Sequence, residues 1–168
     1  VAEEARVSDT GPAKPPFHEF LEANRATVYR FLSVAVGPLD ADDVFQETFL
    51  AALRSYPRVR DPGRLDRWVL AIASRKAIDH HRGANRRAIP TDHLPEEVTS
   101  APESETVDPD DPLWAAVRSL PARQRVAVVH RHVLDRPYDE VATLMGGTEQ
   151  AARANVYQGM KRLRELMS

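Results

Sequence analysis

The sequence predicts an all-α protein made of two small helical modules joined by a flexible acidic linker. Three observations predict it. Apolar residues recur at spacings of three and four between residues 17 and 87. The same period returns from about residue 113 to the end. Between the two, residues 88–112 hold five prolines and residues 91–112 hold eight acids with no Lys or Arg, a composition that packs poorly and repels itself.

The elements follow in order. Residues 1–16 contain Gly11, Pro12, Pro15 and Pro16 without helical periodicity and read as a disordered tail. Phe17, Phe20, Leu21, Val28, Phe31, Leu32 and Ala35 then line one face of a first helix, which Gly37-Pro38 ends. Asp40 is a good N-cap for a second helix, with Asp43 in the first turn where the helix dipole favours acids. That helix is expected to bury Val44, Phe45, Phe49 and Leu53 and to stop before Pro57. Residues 55–63 read as a loop. Leu65, Trp68, Val69, Ile72, Ala73 and Ile78 form the stripe of a third helix that frays near Gly83. Modules are thus expected over 17–87 and 113–168, with the linker at 88–112. The second module should contain helices at 113–119, 122–134, 138–145 and 149–166.

A chain of 168 residues, 42% of them hydrophobic, suits one ordinary domain or two small ones whose separate cores are each marginal. No apolar run reaches the length of a membrane span, and the first residues lack the apolar core of a signal peptide, so a soluble, cytoplasmic protein without membrane insertion is the expectation. The absence of cysteine excludes disulfides, thiolate metal sites and cysteine nucleophiles. The net charge of −2 hides a segregated distribution. Residues 64–87 carry seven basic side chains (Arg64, Arg67, Arg75, Lys76, Arg82, Arg86, Arg87) against Asp66 and Asp79. Such a basic stretch points to nucleic acid.

Tyr138 to Val156 has helix-turn-helix spacing. Val141 and Ala142 sit in a short helix, Gly146 falls where a positive φ is needed, and Thr148 is an N-cap for the next helix. Ala152, Val156, Leu163 and Leu166 face inward. The outer face, with Glu149, Gln150, Arg153, Tyr157, Gln158 and Lys161, is then presented to a major groove. Arg123, Arg125, Arg131, Arg162 and Arg164 are further candidates for phosphate contacts. The adjacent pair His80-His81 and the pair His130, His132 lack the i, i+4 spacing of a helical metal site, so no metal and no cofactor are expected. No phosphate-cradling glycine loop, paired acid/base site or serine-histidine-acid arrangement stands out.

Four segments together resemble the extracytoplasmic-function sigma factors of bacterial RNA polymerase. Asp42-Asp43-Val44-Phe45-Gln46-Glu47-Thr48-Phe49 is similar to their second-helix signature, and residues 68–82 resemble their promoter-melting helix. Leu120-Pro121-Ala122-Arg123-Gln124-Arg125 and Tyr138-Asp139-Glu140-Val141-Ala142 resemble their C-terminal module. The resemblance covers residues 17–87 and 113–166. It implies a non-enzymatic initiation factor whose partners are core RNA polymerase, promoter DNA and an anti-sigma factor.

Carried onto this chain, the resemblance implies polymerase binding by Asp43, Gln46, Glu47 and Leu50. It implies −10 DNA binding by Tyr56, Arg58, Arg60, Arg67, Arg75, Lys76 and Arg82. The loop 56–63 would be the specificity loop, with Tyr56 as a stacking face for a flipped base and Arg58 and Arg60 as donors. Trp68 lies on the apolar stripe, where core packing is the commoner role. For the −35 element the implied residues are Arg131, Thr148, Arg153, Tyr157, Gln158 and Lys161. The chain departs from the family pattern in having Asn155, Gln158 and Met160 where basic residues are usual, and Gly159 costs helix stability of about 1 kcal/mol relative to Ala. Two other readings stand beside this one: an interaction protein with little sequence-specific DNA contact, and a dimeric helix-turn-helix repressor, for which the segment near Gln46-Glu47 has no use.

Overall fold

Apolar residues one turn apart drive the first helix, α1 (Phe17–Ala35), onto two others, α2 (Ala41–Ser55) and α3 (Leu65–Arg86). A computed structural model of the chain describes residues 13–86, 108 and 110–168. Most of the expected tail and linker lies outside these residues, as does Arg87. The first module buries Phe20, Val28, Phe31 and Leu32 of α1 against Val44 and Phe49 of α2 and Val69, Leu70 and Ala73 of α3. Apart from Ala73, each such side chain contributes about 1.5–3 kcal/mol by leaving water.

Several local details differ from the expectation. Asp40 sits at the N-cap of α2 but makes no capping bond; its carboxylate instead pairs with His80 Nε2 at 3.2 Å. Leu53 is 49% exposed rather than buried, because it falls on the outer face of α2. Two short 3₁₀ turns (Tyr56–Arg58 and Pro62–Arg64) occupy the loop before α3, the second capped by Asp61, whose Oδ1 accepts from the Gly63 amide at 3.0 Å. Helix α3 does not fray at Gly83 but continues to Arg86. The end of the expected tail is packed: Lys14 Nζ donates to the carbonyls of Tyr56 (2.7 Å) and Val59 (3.2 Å), and Pro15 O accepts from the Tyr56 hydroxyl (2.6 Å).

The second module comprises α4 (Pro112–Ser119), α5 (Ala122–Val128), α6 (Tyr138–Met145) and α7 (Glu149–Leu166). Its first acids are structural: Asp108 Oδ1 accepts from the Asp110 amide, and Asp111 caps α4 through Leu113 N–H at 2.8 Å. The helix expected over 122–134 is not uniform. After Val128 the chain widens into a π turn, Val129–Val133, that closes with Leu134 N–H on Val129 O (3.1 Å). Gly146 ends α6 at φ +65°, and the amide of Gly147 returns to Ala142 O at 2.9 Å, the two features of a Schellman stop. Thr148 Oγ1 then accepts from Ala151 N–H (3.1 Å) and starts α7. Gly159 has a packing reason the sequence did not show. A Cβ there would stand 2.6 Å from Val128 Cγ2 and 3.4 Å from Gln124 O, so α7 crosses α5 where only glycine fits. Leu166, expected to extend the inner stripe, is 52% exposed.

The two modules do not stand apart. Helix α3 packs on α5 and α6, and α1 packs on α4 and the π turn, so the buried side chains of both form one continuous core. Small modules bury too little surface alone, and sharing a core raises that fraction.

Candidate nucleic-acid and partner interfaces

On α2, Asp43, Gln46, Glu47 and Leu50 are all exposed. Their spacing of three, four and seven puts them on one face. Leu50 is 53% exposed, and Leu53, three residues on, extends the stripe. Two solvent-facing leucines flanked by acids form a surface that a basic, partly apolar partner helix fits: apolar area at the centre and complementary charge at the rim. Sequence reasoning missed Leu53 because an i, i+4 step from Phe49 looks like a core stripe.

The loop and α3 divide the expected −10 residues into three groups. Arg58, Arg60, Arg75 and Arg82 are exposed and Lys76 is half-buried; none of them has an ion-pair partner among the described residues. They form an open basic surface. Arg64 pairs only loosely with Asp61, at 3.7 Å and with both side chains mostly exposed. Tyr56 is the first correction. It is 7% exposed, with its ring among Phe17 (5.2 Å), Phe20 (5.0 Å) and Trp68 (6.1 Å) and its hydroxyl donated to Pro15 O. No face is open for a base; Tyr56 shapes the loop from beneath. Trp68 belongs to the same aromatic cluster, 5.7 Å from Phe20. Arg67 is partly exposed but already paired. Its guanidinium lies 2.6 Å from Glu140 of α6, so the other module occupies it. Glu140 also holds Arg136 (3.1 Å), which reaches Asp66 of α3 at 3.7 Å.

Arg125, a candidate phosphate contact, is the second correction. It is 4% exposed. Its guanidinium donates to Ala35 O (2.8 Å) at the end of α1, to Leu120 O (2.9 Å), to the carbonyl of Arg118 and onto the His81 ring. Burial, and then the charge of Arg118, lowers its pKa to about 10, which leaves it protonated at neutral pH. Arg125 therefore pins the modules together.

Two histidines share that interface. His130, wholly buried on the π turn, stacks on Phe31 (centroids 4.5 Å, 10°) and meets Ser74 Oγ with Nε2 at 2.7 Å. Ser74 gives its own proton to Leu70 O (2.7 Å), so Nε2 carries the hydrogen and Nδ1 is a bare acceptor with no partner among the described residues. Protonation would bury a second N–H with nothing to accept it. Burial, reinforced by Arg136, pushes His130 down to about 3; burial, then Arg125 and His80, against a raising effect of Asp40, pushes His81 to about 4. Both are neutral when folded and titrate near 6.5 when unfolded. Their contribution to stability is complete above pH 6.5 and is lost as pH falls from 6.5 towards 4 and 3. The thermal midpoint is therefore expected to drop steadily between pH 7 and pH 4.5, with about two extra protons taken up on unfolding near pH 5. A midpoint flat from pH 7 to pH 5 would contradict this account.

In the helix-turn-helix, Thr148, Arg153, Tyr157, Gln158 and Lys161 are all exposed on α7 or at its start, with Tyr157 62% exposed. The Arg153 guanidinium donates to Glu149 Oε1 at 2.6 and 3.2 Å and lies over the Tyr138 ring at 4.3 Å. Arg131, from the π turn, lies over the same ring at 5.2 Å. Asn155 turns its amide back to Ala151 O (2.9 Å). Among the described residues, no helix is long and apolar enough to cross a membrane.

An open basic surface in one module and an exposed second helix of a helix-turn-helix in the other define a helix-turn-helix protein with a second basic face. Comparison with known proteins gives that class its family. The Sigma-70 region 2 family matches residues 20–87, and the Sigma-70 region 4 family matches residues 110–163. The chain is 35% identical over 158 residues to the ECF RNA polymerase sigma factor SigD of Mycobacterium tuberculosis, covering 88% of this chain and 74% of that one. It is 32% identical over 165 residues to the RNA polymerase sigma factor CarQ of Myxococcus xanthus, covering 92% and 91%. Its fold is similar to that of the sigma factor RpoE from Bartonella quintana, solved with the anti-sigma factor NepR (TM-score 0.69, 19% identity, 90% and 96% covered), and to that of CnrH, solved with the cytosolic domain of CnrY (0.58, 19%, 90% and 86%). The chain belongs to the extracytoplasmic-function family of RNA polymerase sigma factors.

Proposed function

We propose that this chain associates in the cytoplasm with core RNA polymerase, directs it to promoters and helps open the DNA, and that an anti-sigma factor restrains it. The observation that carries the reading is the exposed α2 stripe of Asp43, Gln46, Glu47 and Leu50, extended by Leu53, in a chain whose second module leaves the outer face of α7 exposed. The stripe binds polymerase. Arg58, Arg60, Arg75, Lys76 and Arg82 track the phosphates and bases of the opened −10 region, and α7 lies in the −35 major groove. The chain contributes positioning and charge, not covalent chemistry. Engaging the −10 strand with Arg67 requires the Glu140 pair to exchange for DNA.

Leu50→Asp tests the polymerase surface. It puts a charge at the centre of the proposed contact while leaving an exposed helix position unstrained. Affinity for core polymerase is expected to fall at least about tenfold, as for central interface residues, with an unchanged thermal midpoint. Wild-type affinity in the variant would remove α2 from the interface.

A further inference from the structure

We infer that Tyr138 is a positioning residue for −35 recognition, holding Arg131 and Arg153 as a preset cationic pair. This rests on the proposed function and names how its second module reads DNA. Arg131 and Arg153 come from different elements, the π turn and α7, and no covalent logic brings them together. The ring of Tyr138, the first residue of α6, lies under both guanidinium groups, at 5.2 and 4.3 Å.

Each arginine also has a carboxylate: Asp135 for Arg131 at 3.4 Å, Glu149 for Arg153 at 2.6 Å. The two kinds of clamp differ physically. A carboxylate offsets the positive charge that DNA needs, and it must be displaced, or at least weakened, when a phosphate or a guanine edge takes its place. An aromatic face orients the guanidinium while leaving its edge N–H groups free to donate. The ring therefore keeps the side chain aimed while the carboxylate lets go, and less rotamer entropy is lost on binding.

The positions of α7 where the family usually places basic residues add no charge to this pair. Asn155 is bonded to its own helix, Gln158 is uncharged and Met160 is partly buried. Arg131 and Arg153, with Lys161, are the cationic side chains among the residues expected to read the −35 element, while the exposed Arg123, Arg162 and Arg164 are candidates for phosphate contacts alone.

The test begins by selecting the preferred duplex with full-length chain bound to core polymerase. Binding of the free chain to that duplex is then measured for Tyr138→Leu, Tyr138→Phe, Arg153→Ala and the double variant Tyr138→Leu/Arg153→Ala. Tyr138→Leu is expected to weaken binding about five- to thirtyfold, from roughly 0.5–1 kcal/mol for each of two exposed cation–π contacts. Tyr138→Phe restores most of it, because the ring is kept. In the Arg153→Ala background the Tyr138→Leu effect shrinks to the share of Arg131, about two- to fivefold. Thermal midpoint and core affinity stay at wild-type values. Equal affinity of Tyr138→Leu and wild type overturns the positioning role, as does an effect fully additive with Arg153→Ala. A lowered midpoint that Phe does not rescue assigns Tyr138 to folding instead and overturns it too. A wild-type complex that selects no duplex overturns the proposed function itself, and this inference with it.

Discussion

Arg125→Ala is expected to destabilise the chain by about 3–5 kcal/mol and to separate its two modules. The guanidinium is buried and donates to three carbonyls: Ala35 at the end of α1, and Arg118 and Leu120 at the end of α4. Removing it strands the carbonyls of Arg118 and Leu120 away from water and leaves Ala35 O with His81 Nε2 alone at 3.1 Å, and each unpaired buried group costs about 1–3 kcal/mol. It also empties a large volume at the point where α1, α3, α4 and α5 meet. Arg125→Lys does not rescue, since one ammonium cannot reproduce the fork that spans these carbonyls. Urea unfolding followed by circular dichroism checks this. The wild type, with one shared core, should show a single transition, and the alanine variant an earlier one that splits into two. An unchanged single transition would mean that the modules are held by other contacts.

Gly159→Val is expected to abolish −35 binding while leaving the α2 surface able to bind core polymerase. The valine Cβ would start 2.6 Å from Val128 Cγ2, a β-branched neighbour with little freedom to turn, and its further methyl groups would press towards Gln124 O. Overpacking of this kind costs about 1–3 kcal/mol, and α7 moves away from α5 to relieve it. The better helix propensity of a non-glycine residue, up to about 1 kcal/mol, does not offset the clash. For Gly159→Ala the two effects come closer, and the net loss should be about 1 kcal/mol. Duplex binding and core binding, measured on the same preparation, check the prediction. Loss of both together would indicate that the second module cannot be perturbed alone.

These two positions also show where the sequence was legible and where it was not. Gly146 and Thr148 announced a turn and a cap because their roles depend on backbone conformation within a few residues. The bounds of α6 and α7 followed from them, and both expected ranges match the structure. Arg125 and Gly159 depend on what lies across a packing interface, and no local period records that. Arg125 read as one more phosphate contact, and Gly159 as a defect in a helix. Tyr56 misled for a similar reason: an aromatic residue at a loop edge offers a face to a base or to Phe17, Phe20 and Trp68 equally well, and only the fold decides. The α2 surface was more legible. Asp43, Gln46, Glu47 and Leu50 fall on one face by spacing alone, and the opposite face is visibly apolar. The docking of the modules was hidden because its polar pins, Ser74, His81, Arg125, His130 and Glu140, interrupt the hydrophobic pattern that would have disclosed it.

The family assignment reaches its function through one event, initiation at a chosen promoter. The most direct measurement is reconstituted transcription with purified core RNA polymerase and DNA fragments from the chain's own genome. Core enzyme alone should give no start-site-specific transcript, and addition of this chain should produce discrete transcripts from a small set of fragments, lost with Leu50→Asp. Failure of the chain to bind core polymerase, or binding without initiation on any fragment, would contradict the account.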